Sequence, residues 1–204
     1  MALENNFSLE KFNPQVLREY DIRGIVGQDL TDNTAYTIGR TFGHIICSQF
    51  NEKTIVVGYD GRLTSQKLHD ALCEGLVKSG VNVTSIGLGP TPMIYFAHYH
   101  LNSNAAIVVT GSHNPPEYNG FKMVLNKHSF YAENIQKLKN LIQEPEICEG
   151  KGVLKNINIE KDYVFRNLKN IKLKKKLKIA WDIGNGSMGS VIDLFTSNLL
   201  NAEH

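Results

Sequence analysis

The stretch that decides the fold is residues 54–86, TIVVGYDGRLTSQKLHDALCEGLVKSGVNVTSI. It begins with Thr54–Tyr59, a short β-branched run that is typical of a buried strand. A helix is predicted next, from an N-cap at Thr64 or Ser65, because apolar residues recur there at helical spacing. Val81–Ile86 then alternates as a second strand does. A strand, a helix and a strand in succession predict a βαβ unit with parallel strands.

The same alternation of helices and strands continues on both sides of this unit. The predicted elements are a helix at about Asn33–Phe50, a short helix at Met93–His100, strands at Ala105–Thr110 and Gly120–Leu125, and a helix at Ala132–Ile142. The sequence therefore predicts an α/β fold, a three-layer α/β/α domain around a mostly parallel mixed sheet.

A polar, turn-rich segment at Gln143–Gly152 predicts a domain boundary. Beyond it the pattern predicts a helix at Ile159–Leu168, then a strand at Leu177–Asp182 that leads into a glycine-rich turn and a last helix. One strand cannot form an independently stable sheet. We therefore expect a first domain at 1–152 and, at 153–204, the incomplete start of a second, similar domain.

Composition and charge exclude several classes of function. The formal net charge is +2 and the Lys172–Lys178 run has no interleaved aromatic residues, so a nucleic-acid partner is not expected. The three cysteines show no CxxC spacing, which favours a reducing cytosol over a disulfide framework. No apolar run reaches the roughly 18 residues that span a bilayer, and Met1–Glu10 lacks the apolar block of a signal peptide. The sequence predicts a cytoplasmic protein without a membrane partner.

The loop Thr110–Pro116, TGSHNPP, is the strongest candidate for chemistry. It follows a predicted buried strand, and ligands of open α/β sheets bind beyond the carboxyl ends of the strands. Ser112 offers a hydroxyl nucleophile, while His113 and Asn114 offer donors for an anion. Gly111 would let the backbone approach a ligand closely. The alternative is an ordinary turn with an exposed serine.

Two cationic residues lie in motifs on either side of this loop. Arg23, in Tyr20-Asp-Ile-Arg-Gly24, could bind phosphate through its planar fork, or it could form a surface ion pair with Asp21. Lys122 lies within a predicted strand and must point towards a polar environment, which could be the solvated face of the sheet.

Two further stretches follow predicted strands. Asp60 and Arg62 end the strand at Thr54–Tyr59, where capping of the next helix is a sufficient explanation for Asp60. Asp182–Gly186 resembles a generic glycine-rich phosphate loop, but it is neither GxGxxG nor a P-loop.

Taken together and in order, five motifs resemble those of the α-D-phosphohexomutase family, and within it the bacterial phosphomannomutase/phosphoglucomutase enzymes. The motifs are YDIRG at 20–24, GYDGR at 58–62, GPTP at 89–92, TGSHNPPEYNGFK at 110–122 and DIGNG at 182–186. The resemblance implies that Ser112 is phosphorylated in the resting enzyme and that Mg²⁺ binds to that phosphate. Ser112 would donate the phosphoryl group to a hexose monophosphate, and the bisphosphate intermediate would reorient and return its other phosphate.

The resemblance also assigns roles to residues around the serine. Tyr20, Arg23 and Asn114 would bind phosphate or substrate, while His113 and Lys122 would position charge and move protons. The sequence leaves open which residue is the general base. The choice between glucose and mannose substrates and the oligomeric state stay open as well.

Two departures from the family pattern matter. Tyr59 stands where the family commonly has arginine, and the family's Asp-rich metal loop would fall beyond His204. On this basis the 204-residue chain alone is expected to be inactive as a mutase. The alternative is a truncated, non-catalytic remnant that binds a phosphosugar or a partner protein.

Overall fold

A computed structural model describes residues 7–143 and 147–204. A short 3₁₀ helix at Pro14–Val16 precedes six α-helices in these ranges: α1 Asp32–Gln49, α2 Ser65–Lys78, α3 Thr91–His100, α4 Glu133–Gln143, α5 Glu160–Leu168 and α6 Gly189–Asn198. The strands are β1 Ile22–Ile25, β2 Thr54–Tyr59, β3 Asn82–Leu88, β4 Ala105–Val109, β5 Tyr118–Leu125, β6 His128–Ser129, β7 Leu154–Asn156, β8 Leu177–Lys178 and β9 Ala202–Glu203.

Seven strands form one mixed sheet in the order β1-β5-β4-β2-β3-β7, with β6 beside β5. Strands β4, β2, β3 and β7 pair in parallel. Strand β5 runs antiparallel to its neighbours β1, β4 and β6, so in this sheet it alone points the other way. The predicted α/β fold with a mostly parallel mixed sheet is therefore confirmed.

Alternate residues of the central strands supply two separate cores, one on each face of the sheet. Ile55 and Val57 of β2 pack into a cluster with α1, α2 and α4. Val56 of β2 and Val108 of β4 face the opposite cluster, which α3, α5 and α6 complete. Because side chains alternate across a strand, strands that are apolar at every position are buried on both faces. This arrangement gives the three layers that the sequence predicts.

Helices α1 and α2 approach each other at two glycines. A Cβ on Gly39 would lie 2.3 Å from the carbonyl oxygen of Leu72, and a Cβ on Gly75 would lie 2.3 Å from that of Tyr36. Neither position accepts a side chain, since real Cβ contacts are never so short. The two glycines thus fix the helix pair that covers one face of the sheet.

Three details differ from the sequence-based expectation. Strand β1 was not predicted, although Ile22 is almost fully buried. The predicted strand at Leu177–Asp182 is limited to β8, which pairs with β9 in a small separate sheet. Strand β7 lies after residue 152 and pairs with β3, so the first sheet continues past the predicted boundary. The division at 152 stays a prediction.

Parts of two predictions lie outside the described residues: the first six positions of Met1–Glu10, and 144–146 within the boundary segment. Residues 153–204 pack on the large sheet and α3 through Ile159, Val164 and Val191, which belong to the same core cluster as α3. No described helix is long and apolar enough to cross a membrane.

Candidate active site

Ser112 lies in the loop that joins the antiparallel strands β4 and β5, beyond the carboxyl end of β4. It is exposed, and its backbone has a φ of 54°, a left-handed conformation that is uncommon for residues other than glycine. Its N–H donates to Thr110 Oγ1 at 2.8 Å. Backbone conformations of this kind are kept where the surrounding structure imposes them, and they cluster at functional sites.

Arg62 holds this loop by donating to four backbone carbonyl groups. Its Nη1 donates to the oxygens of Pro115 at 2.7 Å and Tyr118 at 2.9 Å. Its Nη2 donates to those of Ser112 at 3.0 Å and Asn114 at 2.6 Å. The planar guanidinium, which presents its donors in a fixed fork, thereby sets the path of the loop from the serine to the start of β5.

Asp60 fastens the start of the same loop. Its Oδ2 accepts from the Thr110 hydroxyl at 2.8 Å and from the Gly111 N–H at 3.2 Å. Its Oδ1 accepts from the Arg62 N–H at 3.1 Å and from the Ser65 hydroxyl at 2.5 Å. The sequence suggested that Asp60 caps the next helix, but none of these four hydrogen bonds comes from a backbone N–H of α2; two come from the serine loop, one from the Arg62 N–H and one from the Ser65 hydroxyl. The indication available in the sequence was the position of the Asp60–Arg62 motif, at the end of a strand that pairs with β4.

Gly111 is required by the packing of Arg62. A Cβ at this position would lie 2.3 Å from Arg62 Nε and 2.7 Å from the carbonyl oxygen of Tyr118. The sequence predicted a close approach of the backbone to a ligand at Gly111. The group that approaches closely in the structure is the arginine that braces the loop.

A first cleft, of about 520 Å³, opens at Ser112. Three other parts of the molecule contribute to it, namely the end of β2, the N-terminus of α3 and the glycine-rich turn after β8. The lining residues are Asp60, Gly61, Arg62, Pro90, Thr91, Pro92, Thr110, Ser112, Asn114, Pro116, Asn185, Gly186 and Ser187. Four of the five sequence motifs, all but YDIRG, therefore meet at one cleft.

A second cleft, of about 690 Å³, contains Arg23 and Lys122. Both cations bind the same carboxylate oxygen of Asp21, Arg23 Nη2 at 2.6 Å and Lys122 Nζ at 3.0 Å. The ion pair that the sequence offered as an alternative for Arg23 thus exists, but the Asp21 side chain is only 8% exposed and serves two cations. Lys122 pairs across the ladder with Val108, which places it on the face of the sheet that α3 covers.

Asn114 connects the two clefts, because it lines both of them. Its Oδ1 accepts from Arg23 Nη1 at 3.3 Å, and its Nδ2 donates to the carbonyl oxygen of Gly111 at 2.8 Å. The structure thus places all the predicted site residues except His113 in two adjoining clefts, and Asn114 couples the loop of Ser112 to Arg23.

His113 and Tyr20, two further predicted site residues, are both exposed. His113 Nδ1 lies 3.2 Å from Ser112 Oγ. Tyr20 is 67% exposed, lines the second cleft and stacks on Tyr131 with ring centroids 6.3 Å apart. The neighbouring Glu19 carboxylate raises the pKa of the Tyr20 hydroxyl, which therefore stays protonated and able to donate.

Tyr59, the departure from the family pattern, has a packing role in this chain. Its ring lies 5.0 Å from that of His69 on α2, centroid to centroid. Burial raises the pKa of its hydroxyl. The side chain therefore helps to seat α2 on the sheet next to the motif that braces the loop of Ser112.

Comparisons with known proteins agree with the fold of the chain. A family model described as phosphoglucomutase/phosphomannomutase, alpha/beta/alpha domain I, matches residues 14–147. The phosphomannomutase/phosphoglucomutase of Pseudomonas aeruginosa is 39% identical over 176 residues, and the phosphoglucomutase of Neisseria meningitidis serogroup B is 38% identical over 180 residues. Each alignment covers 86% of this chain and 38% of the relative.

A solved structure of a phosphoglucomutase/phosphomannomutase family protein from Burkholderia thailandensis superposes with a TM-score of 0.87 at 37% identity. The superposition covers 95% of this chain and 43% of the Burkholderia thailandensis chain. The chain therefore spans less than half the length of the relatives that it matches.

Proposed function

Because this chain belongs to the phosphoglucomutase/phosphomannomutase family, we propose that it carries the phosphoserine part of a phosphohexomutase. Such an isomerase of carbohydrate metabolism interconverts hexose 1-phosphates and hexose 6-phosphates, with mannose or glucose as the sugar. The observation that carries the proposal is Ser112, whose exposed hydroxyl stands at a cleft on a loop that Asp60 and Arg62 brace.

The proposed reaction is two phosphoryl transfers through the same serine. Phosphorylated Ser112 donates to the free hydroxyl of a hexose monophosphate; the bond from phosphorus to Ser112 Oγ breaks as the bond to the sugar oxygen forms. The sugar hydroxyl gives its proton to a base, and Ser112 Oγ regains a proton. After the bisphosphate reorients, the reverse transfer returns its other phosphate to Ser112. Such transfers depend on positioning and on neutralisation of charge more than on covalent chemistry.

The cations of the second cleft suit the neutralising role. Arg23 and Lys122 each have side chains that are 29% exposed, so both reach the cleft while they share the carboxylate of Asp21. Asn114 would act on phosphate by holding Arg23 next to the serine loop, and the protonated hydroxyl of Tyr20 would donate to substrate. These contacts support a site for a dianionic phosphate group.

Two groups remain candidates for proton transfer. His113 Nδ1 is within hydrogen-bond distance of Ser112 Oγ, so it can move a proton to or from that atom. Lys122 Nζ is held by Asp21. Comparing His113→Gln with Lys122→Met in single-turnover transfer would separate them: the base variant should slow transfer by about 10²–10⁴-fold.

The family resemblance also implies Mg²⁺ at the phosphoserine. In residues 7–143 and 147–204, no group of three or more His, Cys, Asp or Glu side chains could hold a metal ion. Ser112 can supply one ligand, an oxygen of its phosphate. A complete magnesium site therefore does not fit the described residues, and the steps above use protein groups alone.

The direct test is transfer of label from glucose 1,6-bisphosphate carrying radioactive phosphate to the gene product that contains this chain. We expect label on Ser112, located by peptide mapping, and none in Ser112→Ala. The matched control is Ser187→Ala, because Ser187 lines the same cleft but belongs to another segment of the chain. Label on another residue, or label that survives in Ser112→Ala, would refute the assignment.

A further inference from the structure

Two cysteines that the proposed reaction does not use lie close to one histidine, on the side of the first domain formed by α1. Cys47 lies in the last turn of α1, and Cys148 lies in the segment between α4 and β7. Both are partly buried. His44 and Cys47 are three residues apart and share a face of the helix. His44 Nδ1 lies 3.3 Å from Cys148 Sγ, so Cys148 lies against that face.

A common set of hydrogen bonds holds both cysteines in place. The Cys47 thiol donates to the carbonyl oxygen of Ser79 at 3.1 Å. The buried Arg40 donates from Nε to Ser79 Oγ at 3.1 Å and from Nη2 to the carbonyl oxygen of Cys148 at 3.2 Å. The two cysteines come from segments far apart in sequence, and both are held by the hydrogen-bonded pair of Arg40 and Ser79.

The surroundings of the two thiols differ. Burial raises the pKa of Cys47, and the Cys148 thiol beside it raises that pKa further, while the Lys53 ammonium lowers it. Cys148 instead faces His44 Nδ1, a nitrogen that can accept the thiol proton. A thiolate is the reactive form in disulfide exchange. Cys148 is therefore suited to attack first and Cys47 to resolve.

We propose that Cys47 and Cys148 form a redox-active dithiol that closes to an intramolecular disulfide by exchange with a small-molecule disulfide such as oxidised glutathione. The Cys148 thiolate attacks one glutathione sulfur, which forms a mixed disulfide and releases one glutathione thiolate. Deprotonated Cys47 then attacks Cys148 Sγ and releases the second. Two protein thiols are oxidised, one glutathione disulfide is reduced to two glutathiones, and the two thiol protons go to His44 and solvent.

The crosslink would tie α1 to the segment that leads into β7, and so to the part of the chain that supplies Ser187 to the first cleft. A disulfide that closes a loop of about 100 residues stabilises mainly by constraining the unfolded chain. For a domain of this size we expect the oxidised form to melt about 5–10 °C higher than the reduced form.

The test begins with the reduced, unmodified protein and oxidised glutathione at mildly alkaline pH. Free thiols should fall from three to one, since the chain has three cysteines. Mass spectrometry of digests should show a Cys47–Cys148 bond, with Cys73 still reduced because it is fully buried. A bond that involves Cys73, a disulfide between two molecules, or three thiols that persist in folded protein would overturn the proposal.

Variants then test the order of events. Cys47→Ser should stop at one glutathione on Cys148, whereas Cys148→Ser should react at least about tenfold more slowly. His44→Gln should slow the exchange about threefold or more and leave the product unchanged. Cys73→Ser is the matched control and should behave as the unmodified protein, with circular dichroism to establish folding. Equal rates in Cys47→Ser and Cys148→Ser would refute the assigned order.

Discussion

Two loops meet at the first cleft, the loop of Ser112 and the glycine-rich turn after β8, and they are held in different ways. The loop of Ser112 is braced from outside by Asp60 and Arg62, which belong to another segment of the chain. The turn after β8 is held by its own residues: the Gly184 N–H donates to Asp182 Oδ1 at 2.8 Å, and the Gly186 N–H donates to the Ile183 carbonyl at 2.9 Å. External bracing suits a reactive group, because phosphoryl transfer requires that such a group be held in place to a fraction of an ångström. We expect the locally closed turn to be held less tightly, because its hydrogen bonds come only from its own residues.

The largest effect should come from Arg62→Ala. This change leaves four loop carbonyls without their donor and leaves Asp60, whose side chain is 16% exposed, without its ion-pair partner. Removal of one member of such a pair costs about 3–5 kcal/mol. Urea denaturation should show that loss in the free energy of unfolding. The matched control is Arg166→Ala on the exposed face of α5, where a change within about 0.5 kcal/mol is expected. Similar losses in both variants would remove the distinction between braced and unbraced regions.

Asp60→Asn should have the next largest effect. The amide keeps the shape of the side chain but loses the charge and one of two acceptor oxygens, while Asp60 accepts four hydrogen bonds in the structure. We expect a loss of about 2–3 kcal/mol together with slower phosphorylation of Ser112. The corresponding change in the other loop, Asp182→Asn, should cost at most about 1 kcal/mol. Urea denaturation would measure the free energy of unfolding of both variants. A larger loss in Asp182→Asn than in Asp60→Asn would contradict the proposed difference between the two loops.

The two loops can also be compared glycine by glycine. Gly111→Ala forces a methyl group against Arg62 and should cost about 2 kcal/mol, within the range for overpacked sites. Gly186→Ala has one neighbour within 4 Å, the Ile183 carbonyl oxygen at 3.2 Å, and should cost less than about 1 kcal/mol. Thermal unfolding of both variants measures the difference. If Gly111→Ala melts at the same temperature as the unmodified protein, Arg62 can move to accommodate the methyl group. The bracing would then be weaker than the structure indicates.

The smallest effect concerns the pH dependence of stability and comes from α3, outside both loops. His98 on α3 is fully buried, and its Nε2 has no hydrogen-bond partner within residues 7–143 and 147–204. Burial lowers its pKa below the ordinary 6.5. The unfolded chain therefore takes up a proton before the folded chain does, so stability should fall as pH drops below 6.5 and should be unaffected by this group above it. Unfolding at about pH 8 and about pH 5.5 measures the slope. His98→Asn should flatten it, and exposed His100→Asn should not.

Local periodicity was enough to predict most of the fold. Strands β2 and β4 are apolar at nearly every position and helices α1 and α2 repeat at helical spacing, so their own residues specify them. Strand β1 was missed because its four residues include Arg23 and Gly24, and its partner β5 lies about a hundred residues away. The predicted strand at Leu177–Asp182 forms over only two residues, since a strand extends only as far as a neighbour pairs with it.

In the candidate site, too, the sequence predicted residues within contiguous motifs but not the contacts between distant segments. The sequence pointed to Ser112 because TGSHNPP is a contiguous motif, to Arg23 through YDIRG, and to Lys122 as a lysine within an apolar strand. The family resemblance then implied roles for the last two. The sequence did not reveal that Arg62 binds the carbonyl groups of the serine loop. Every residue has a backbone carbonyl group, so the residue types do not show which of these groups accept a hydrogen bond from Arg62. It also did not reveal that Asp21 joins Arg23 to Lys122, since that contact links segments about a hundred residues apart.

The reversed direction of β5 has a consequence for the order in which the chain folds. Parallel neighbours such as β2 and β4 must wait for long chain segments to close between them, whereas β4 and β5 are joined directly by the loop of Ser112 and can pair as a hairpin, an event on the microsecond scale of about 1–10 μs. We therefore expect the reactive loop to form early and in a loose shape. Its final left-handed turn at Ser112 would be set only when Arg62 docks, late on the folding pathway. Mutations at Val108 or Val124 should then slow folding, and Arg62→Ala should mainly speed unfolding.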